Sequence, residues 1–551
     1  MTSAGLYPEL DEAALAQFVT ALESGDTSTL SSELAEEATQ ARGKVEFLKV
    51  RVPVDPAPSE PGVSVELDGA VCMPRGAGPF PCVVMPAPWT DLGWIAYAAQ
   101  AAQLALKGYI ALAYTPRGFG KSGGKVEVGG PLDVQDGSAV IDFMLANLPA
   151  ADPSRIAFLG DSYGSGISLL VAAHDPRVRV VGALSTWGSL GEAFYENGTR
   201  HVASVAALRG AARNARLSEQ TQWAFDQVQN SESISPEILG WADERSPLAP
   251  WCVDRLDRPD LAVFFSHAWH ETLFPVNQTL ELFNRLSAPA KRLNLSIGDH
   301  SSPEMSGILG LPNRIWSDAH RWLDYHLKGL GELDGNTVVS EIMWSKTLES
   351  HPDWEAATGT HARLYLTGPA SGATDGRLAD KPQNDWNTVL LTGTDTAATV
   401  ADAIIKTGYA EMAGNPKAYP TAQISRTDAA VWAGEPLTAT AKVRGTPRLR
   451  LTCEPSTAKA TFVAYLFDVA PDGNASIITH APFTALGATP GEPVVADIQL
   501  QAAGYDVPAG HRLMLVLDTK DPFYSDANEA GSKLTLSSPD GAPSHLDLPL
   551  A

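Results

Sequence analysis

Ser162, Glu271 and His300 follow one another along this chain in an order that can turn a hydroxyl into a nucleophile. Ser162 sits in RIAFLGDSYGSGISLL, residues 155–170. There an apolar, strand-like run stops at Gly160-Asp161-Ser162-Tyr163-Gly164 and a helical pattern starts at once. A tight strand-to-helix turn lifts a serine hydroxyl clear of a sheet, and small flanking residues avoid clashes within it. The first backbone N–H groups of the new helix point at the same place, so the Tyr163 N–H is a ready donor to a developing oxyanion. A Gly-x-Ser-x-Gly string alone is weak. A strand before it and a helix after it give it meaning.

Such a serine needs a base, and the base needs an orienting acid. His300 follows the apolar run RLNLSIGD (292–299) and precedes the loop SSPEMSG, so it falls at a strand end. The run before that one, LAVFFSHAW (261–269), is followed within two residues by Glu271. Asp254, Asp257 and Asp260 precede this strand and belong to the wrong edge of a sheet. Asp299 is the direct neighbour of His300, and adjacent side chains do not easily meet. The expected acid is therefore Glu271, one methylene longer than an aspartate. HAWHE also contains His267, His270 and Glu271, but their spacing matches neither common zinc-protease motif and no metal is expected. His320 and His326, on a later helical stretch, read as packing or surface residues.

Continuous apolar runs at 81–89, 108–116, 155–160 and 180–187 alternate with helical stretches at 95–107, 133–148 and 165–175. Runs without polar alternation imply strands covered on both faces, hence a parallel sheet flanked by helices. The rhythm breaks over 191–250, which reads as helical with no strand, and returns at 261. Before the sheet, residues 8–40 are helix-prone and the Pro-rich VPVDPAPSEPG reads as a connector. After about 335 alternating runs dominate, separated by Gly, Pro and Asp, which predicts an antiparallel sandwich or jelly roll.

Composition narrows the functional classes. The 551 residues carry a formal net charge of -24, which would repel a nucleic-acid backbone. Cys72, Cys82, Cys252 and Cys453 show no CxxC spacing, so neither a disulfide framework nor a zinc ribbon is expected. The first residues lack the basic and apolar regions of a secretion signal, and no apolar stretch reaches the roughly 20 residues of a membrane span. A cytoplasmic location is the default expectation.

Several segments together resemble the family of cocaine esterase and Xaa-Pro dipeptidyl-peptidase, with its α-amino-acid ester hydrolases and cephalosporin acylases. They are GYIALAYTPRGFGKSGG, GDSYGSG, AWHETLFP, RWLDYHLKG, AYLFDVAPDG and VPAGHRLMLVLDT. The likeness runs from about residue 45 to 550. It implies three parts: an α/β-hydrolase domain (46–190 and 251–335), an inserted helical cap (191–250) and a C-terminal jelly roll (336–551), with the helix-prone N-terminal segment (1–45) before them. It implies a triad of Ser162, His300 and an acid, where Glu271 replaces the family's usual Asp. In esterase members a Tyr hydroxyl supplies the second oxyanion donor; the matching stretch MPAPWTD has Trp89 there. Either the Trp89 indole N–H or a nearby backbone N–H would then take that part, with Trp89 as an apolar wall the competing reading. Trp187, Phe194 and Tyr195, just after a strand end, are expected either to line the substrate pocket or to seal cap to sheet. The expected activity is hydrolysis of a carboxylic ester through an acyl-enzyme, with no cofactor and a small-molecule substrate. The alternatives are an Xaa-Pro peptidase or amide acylase, an acyltransferase, and a non-catalytic binding protein. Pairing of two copies through jelly-roll edges fits the resemblance.

Overall fold

The structure, a computed structural model, describes residues 11–551. Residues 8–10 of the expected first helical stretch, and most of the segment searched for a secretion signal, lie outside the described residues. Two helices, Glu12–Ser24 and Ser32–Lys44, open the described chain and pack on helix Ala98–Leu106. Each begins on a side-chain cap: Asp11 accepts from the Ala14 N–H and Ser31 from the Leu34 N–H.

A ten-stranded sheet follows. The antiparallel pair Val45–Val54 and Val65–Pro74 forms one edge. Next in space come Ile110–Tyr114, antiparallel to that edge, then Phe80–Pro86, Ala151–Asp161, Val178–Leu184, Ala262–Ala268 and Ala290–Ser296, these six parallel to one another. Ile110–Tyr114 and Ala262–Ala268 are buried along their whole length, because helices and loops cover both faces. Ala98–Leu106, Pro131–Asn147, Tyr163–His174 and Arg314–Lys328 are among the helices that pack on the sheet. Parallel strands share one C-terminal rim, so loops after three of them can meet there.

The sheet runs past the expected end at 335. Val338–Glu341 joins Ala290–Ser296 in parallel register, Leu293 opposite Val338, and Leu348–His351 closes the edge. Four-residue strands of mixed polarity give too short a pattern to be read from sequence. The inserted region holds helices Leu190–Phe194, Val202–Ala211, Glu219–Asn230, Pro236–Asp243 and Pro250–Leu256. It also contains a small hairpin, Tyr195–Glu196 with Thr199–Arg200, where no strand was expected. This hairpin docks on the β domain: the Thr484 N–H donates to the Asn197 carbonyl at 2.9 Å, and a Cβ on Gly198 would sit 2.4 Å from the Thr484 carbonyl oxygen.

Beyond residue 359 strands dominate, mostly antiparallel. Lys459–Val469 lies between Asn474–Leu486 and Arg512–Asp518 and is buried almost throughout. One short helix, Lys406–Met412, interrupts the β pattern and lies against the first domain. The four cysteines are buried and unpaired. No helix among the described residues is long and apolar enough to cross a membrane.

Candidate active site

Strand Ala151–Asp161 ends one residue before Ser162, and helix Tyr163–His174 begins one residue after it. Ser162 makes the whole turn alone, at φ 54° and ψ −118°. Backbone of this kind typically costs on the order of 1–3 kcal/mol and persists only where its surroundings fix it. Here the Ser162 N–H donates to the Leu184 carbonyl at 2.8 Å, and the Ser162 carbonyl accepts from the Ser165 N–H at 3.0 Å. The glycines are contact requirements. A Cβ on Gly160 would lie 2.4 Å from the Gly164 backbone, and one on Gly164 would lie 1.9 Å from the Pro86 carbonyl oxygen.

The loop after Ala290–Ser296 brings His300 to this turn. Its Nε2 lies 2.7 Å from Ser162 Oγ. Its Nδ1 faces the Glu271 carboxylate, 3.0 Å from Oε1 and 3.1 Å from Oε2. Glu271 stands on the loop after Ala262–Ala268, and its Oε1 also accepts from the Leu273 and Phe274 N–H groups at 3.0 and 3.2 Å. The extra methylene of glutamate lets the carboxylate fold back over its own turn while still reaching the imidazole. All three side chains are buried. Burial pushes Glu271 up, but the imidazole of His300 outweighs it and holds the carboxyl below its usual range. Burial pushes His300 down, but the Glu271 carboxylate reverses this and leaves it above the usual histidine range. Both directions favour carboxylate beside imidazolium, the charge state that arises when the serine proton moves to the ring.

Family models match nearly the whole of this architecture. Residues 62–302 match the X-Pro dipeptidyl-peptidase (S15 family) and residues 333–546 the X-Pro dipeptidyl-peptidase C-terminal non-catalytic domain. Over these two stretches the chain is similar to the two domains of the S15 family of X-Pro dipeptidyl-peptidases. Among solved structures it resembles an aminopeptidase from the marine sediment archaeon Thaumarchaeota archaeon, with a TM-score of 0.69, 17% identity and coverage of 92% of this chain and 96% of that one. It also resembles an α-amino acid ester hydrolase, with a TM-score of 0.66, 16% identity and coverage of 92% and 97%. A CocE/NonD family hydrolase from Staphylococcus aureus gives a TM-score of 0.68 at 11% identity, covering 92% and 96%. At these identities the likeness is one of fold. Curated relatives match over shorter stretches. The uncharacterized protein YcjY of Escherichia coli is 34% identical over 123 residues, 22% of this chain and 40% of that protein. The polyketide transferase claH of Penicillium crustosum is 34% identical over 119 residues, 21% and 38% of the respective lengths. The chain thus spans about two fifths of the length of these relatives.

The Tyr163 N–H stands at the first position of the elbow helix, where it has no intrahelical partner. The Tyr163 hydroxyl donates to Asp133 Oδ2 at 2.8 Å, which fixes the residue's orientation. Of the two readings of Trp89, the indole as oxyanion donor is the one that the structure corrects. Its indole N–H donates to the Leu208 carbonyl of the cap at 2.9 Å, so it is engaged away from any oxyanion. Its ring packs edge-on against Tyr163 at 5.0 Å, as an apolar wall. Trp187 is likewise a seal: its N–H donates to the Arg245 carbonyl at 2.7 Å, and its ring fills the space where a Cβ on Gly166 would stand 2.0 Å away. Phe194 and Tyr195 line an apolar cavity in the cap.

The residues of HAWHE diverge. His267 Nε2 faces the Phe274 carbonyl at 2.8 Å, His270 turns to the β domain, and Glu271 turns to His300. The residues immediately before the serine and the histidine, Asp161 and Asp299, hold the loops through bonds that their local sequence does not show. Asp161 Oδ2 accepts from the hydroxyl of Ser301, the residue after His300, at 2.8 Å. Burial, reinforced by Glu304, raises Asp161 well above the usual carboxyl range. Asp299 accepts from the Thr272 N–H at 2.7 Å and from the His300 N–H at 2.6 Å. Asp299 holds the backbone, and the imidazole beside it is oriented by Glu271.

His270 also carries a pH signature. Burial opposes its charge, but Glu411 and the Ile478 carbonyl overcome this and raise it to about 9. A histidine raised above its unfolded value of roughly 6.5 adds stability that is complete below that value and lost as pH rises through the folded one. The difference in melting temperature between the wild type and Glu411→Gln should therefore be largest below about pH 6.5 and should shrink towards pH 9. Thermal melts across this range check it.

Proposed function

We propose that the chain hydrolyses a carboxylic ester carrying a short apolar group through Ser162, His300 and Glu271. The observation that carries this is Ser162 Oγ 2.7 Å from His300 Nε2, with Glu271 on the opposite ring nitrogen. His300 takes the hydroxyl proton as Oγ attacks the carbonyl carbon. Glu271 keeps Nδ1 protonated, so Nε2 is free to accept. The Tyr163 N–H binds the oxyanion. The backbone N–H of Trp89, which makes no hydrogen bond among the described residues, serves as the second donor in place of the indole. His300 then protonates the leaving alcohol, and water cleaves the acyl-enzyme with the roles reversed.

The cap cavity supports the apolar preference. Leu190, Phe194, Val205, Phe225, Ile238 and Trp241 are among its walls. Phe194 packs on Phe274, which packs on His300 at 5.0 Å, so the cavity lies one aromatic layer from the reacting atoms. Its volume of about 30 Å³ is enough for a short group and too little for a long chain. Ser162 is 1% exposed, so substrate reaches it when cap side chains move aside.

A fluorophosphonate probe tests the chemistry: it should label the folded protein at Ser162, and an unlabelled Ser162 would overturn the reading. Among p-nitrophenyl esters, acetate to butyrate should outpace octanoate. Phe194→Ala should join the cavity to the space beside Phe274 and raise the octanoate-to-acetate ratio of kcat/KM by roughly tenfold, the scale of a methylene or two in an apolar pocket. The family match favours a second reading, cleavage of an Xaa-Pro amide. Release of p-nitroaniline from Ala-Pro-p-nitroanilide with negligible ester turnover would put that reading first.

A further inference from the structure

The residues that precede the acid and the base, His270 and Asp299, both face the β domain. His270 Nδ1 lies 2.9 Å from Glu411 Oε1, and its Nε2 lies 3.0 Å from the Ile478 carbonyl oxygen. Both ring nitrogens thus face acceptors, an arrangement that only the doubly protonated ring satisfies. Asp299 Oδ2 accepts from the Ile405 N–H at 2.9 Å. Its Oδ1 holds the amides of Thr272 and His300, one residue past the acid and the base itself. Ile405 sits at φ 68°, a conformation that a β-branched residue adopts only under constraint. The helix between these anchors approaches Asp299 without a side chain in the way: a Cβ on Gly408 would lie 2.4 Å from the Asp299 nitrogen.

We propose that segment 405–411 of the C-terminal domain is a positioning strap for the acid and base loops, with Glu411 and Gly408 as its positioning residues. Through His270 it fixes the loop of Glu271; through Asp299 it fixes the backbone of His300. The domain whose family name is non-catalytic then sets the geometry of two of the three reacting side chains. Strand Asn474–Leu486 completes the clamp, since it supplies the Ile478 carbonyl to His270 and docks the cap hairpin through Thr484.

The inference rests on the ester-hydrolase reading above, and one set of measurements separates the two. Wild type, Glu411→Ala, Glu411→Gln, Gly408→Ala and Glu349→Gln are compared for kcat, KM, rate of Ser162 labelling by a fluorophosphonate, and melting temperature. Glu349→Gln is the control: it weakens the ion pair with Arg444, which joins the edge strand of the first sheet to the β domain away from these loops. Glu411→Ala should lower kcat and the labelling rate by up to about 10²-fold, the cost of a misplacement near 1 Å, with KM little changed. Glu411→Gln keeps the length and an acceptor for Nδ1 and should recover most of both. Gly408→Ala, which leaves every hydrogen bond available but pushes the strap off Asp299, should lower kcat in the same direction and decides the matter if Glu411→Ala does not fold. Glu349→Gln should lose melting temperature alone. Folded Glu411→Ala and Gly408→Ala with wild-type kcat and labelling would overturn the strap. Failure of the wild type itself to label would overturn the hydrolase reading instead.

Discussion

Ser162→Ala should lower ester turnover by roughly 10⁶-fold and abolish fluorophosphonate labelling while leaving the fold intact. The magnitude is that found when a serine hydrolase loses its nucleophile, with what remains owed to oxyanion binding and substrate positioning. The fold survives because the turn does not depend on the hydroxyl. It depends on the Ser162 N–H bonded to Leu184, and on Gly160 and Gly164 allowing close contact. Alanine keeps the strained φ of 54°. Ser162→Gly removes the same hydroxyl and also relieves the strain, since glycine adopts positive φ at no steric cost. It should be equally inactive and melt higher than Ser162→Ala. Turnover, labelling and thermal melts of the pair separate the chemical part of the residue from the backbone stress it carries. An alanine variant within tenfold of wild-type turnover would remove Ser162 from the reaction.

Much of this site is legible in the sequence because it depends on local order. A strand run, a glycine-flanked serine and a helical run are contiguous, so the elbow can be read from sixteen residues. His300 and Glu271 are each the first fitting side chain after a buried strand, and a parallel sheet carries all such ends to one rim. What stays hidden is long in sequence and short in space. The Trp89 indole is 119 residues from the Leu208 carbonyl it bonds, so nothing near Trp89 shows that its N–H is engaged. Glu411 lies 141 residues from His270 and sits in a helix of seven residues inside a β pattern. The strands Val338–Glu341 and Leu348–His351 owe their place to an open sheet edge rather than to their own polarity pattern. Trp187, Phe194 and Tyr195 are neighbours in sequence, yet only the last two face the cavity, because the Trp187 ring is drawn over Gly166.

Glu271→Gln should lower kcat by about 10⁴-fold without unfolding the chain, through the tautomer of His300. Glu271 Oε1 accepts two backbone N–H groups, from Leu273 and Phe274. A glutamine must place its carbonyl there, because its NH₂ group would face two donors. The NH₂ group is then turned to His300 Nδ1, which can only accept from it. The ring proton moves to Nε2, and the nitrogen beside Ser162 Oγ can no longer take a proton. Loss of the carboxylate has a second effect with a definite sign. Glu271 is the charge that raises His300 above the ordinary histidine range against its burial. The base works only when neutral, so wild-type kcat/KM should fall on the acid side at a pH above the usual histidine value. The residual activity of Glu271→Gln should lose that acid limb to lower pH. Glu271→Asp keeps the charge and therefore the tautomer, but it withdraws the carboxylate by one methylene. It should keep far more activity than the glutamine variant, with a loss nearer the 10²-fold cost of misplacement. If glutamine and aspartate variants lose equal activity, reach rather than charge governs the imidazole, and the acid's part in this site is steric.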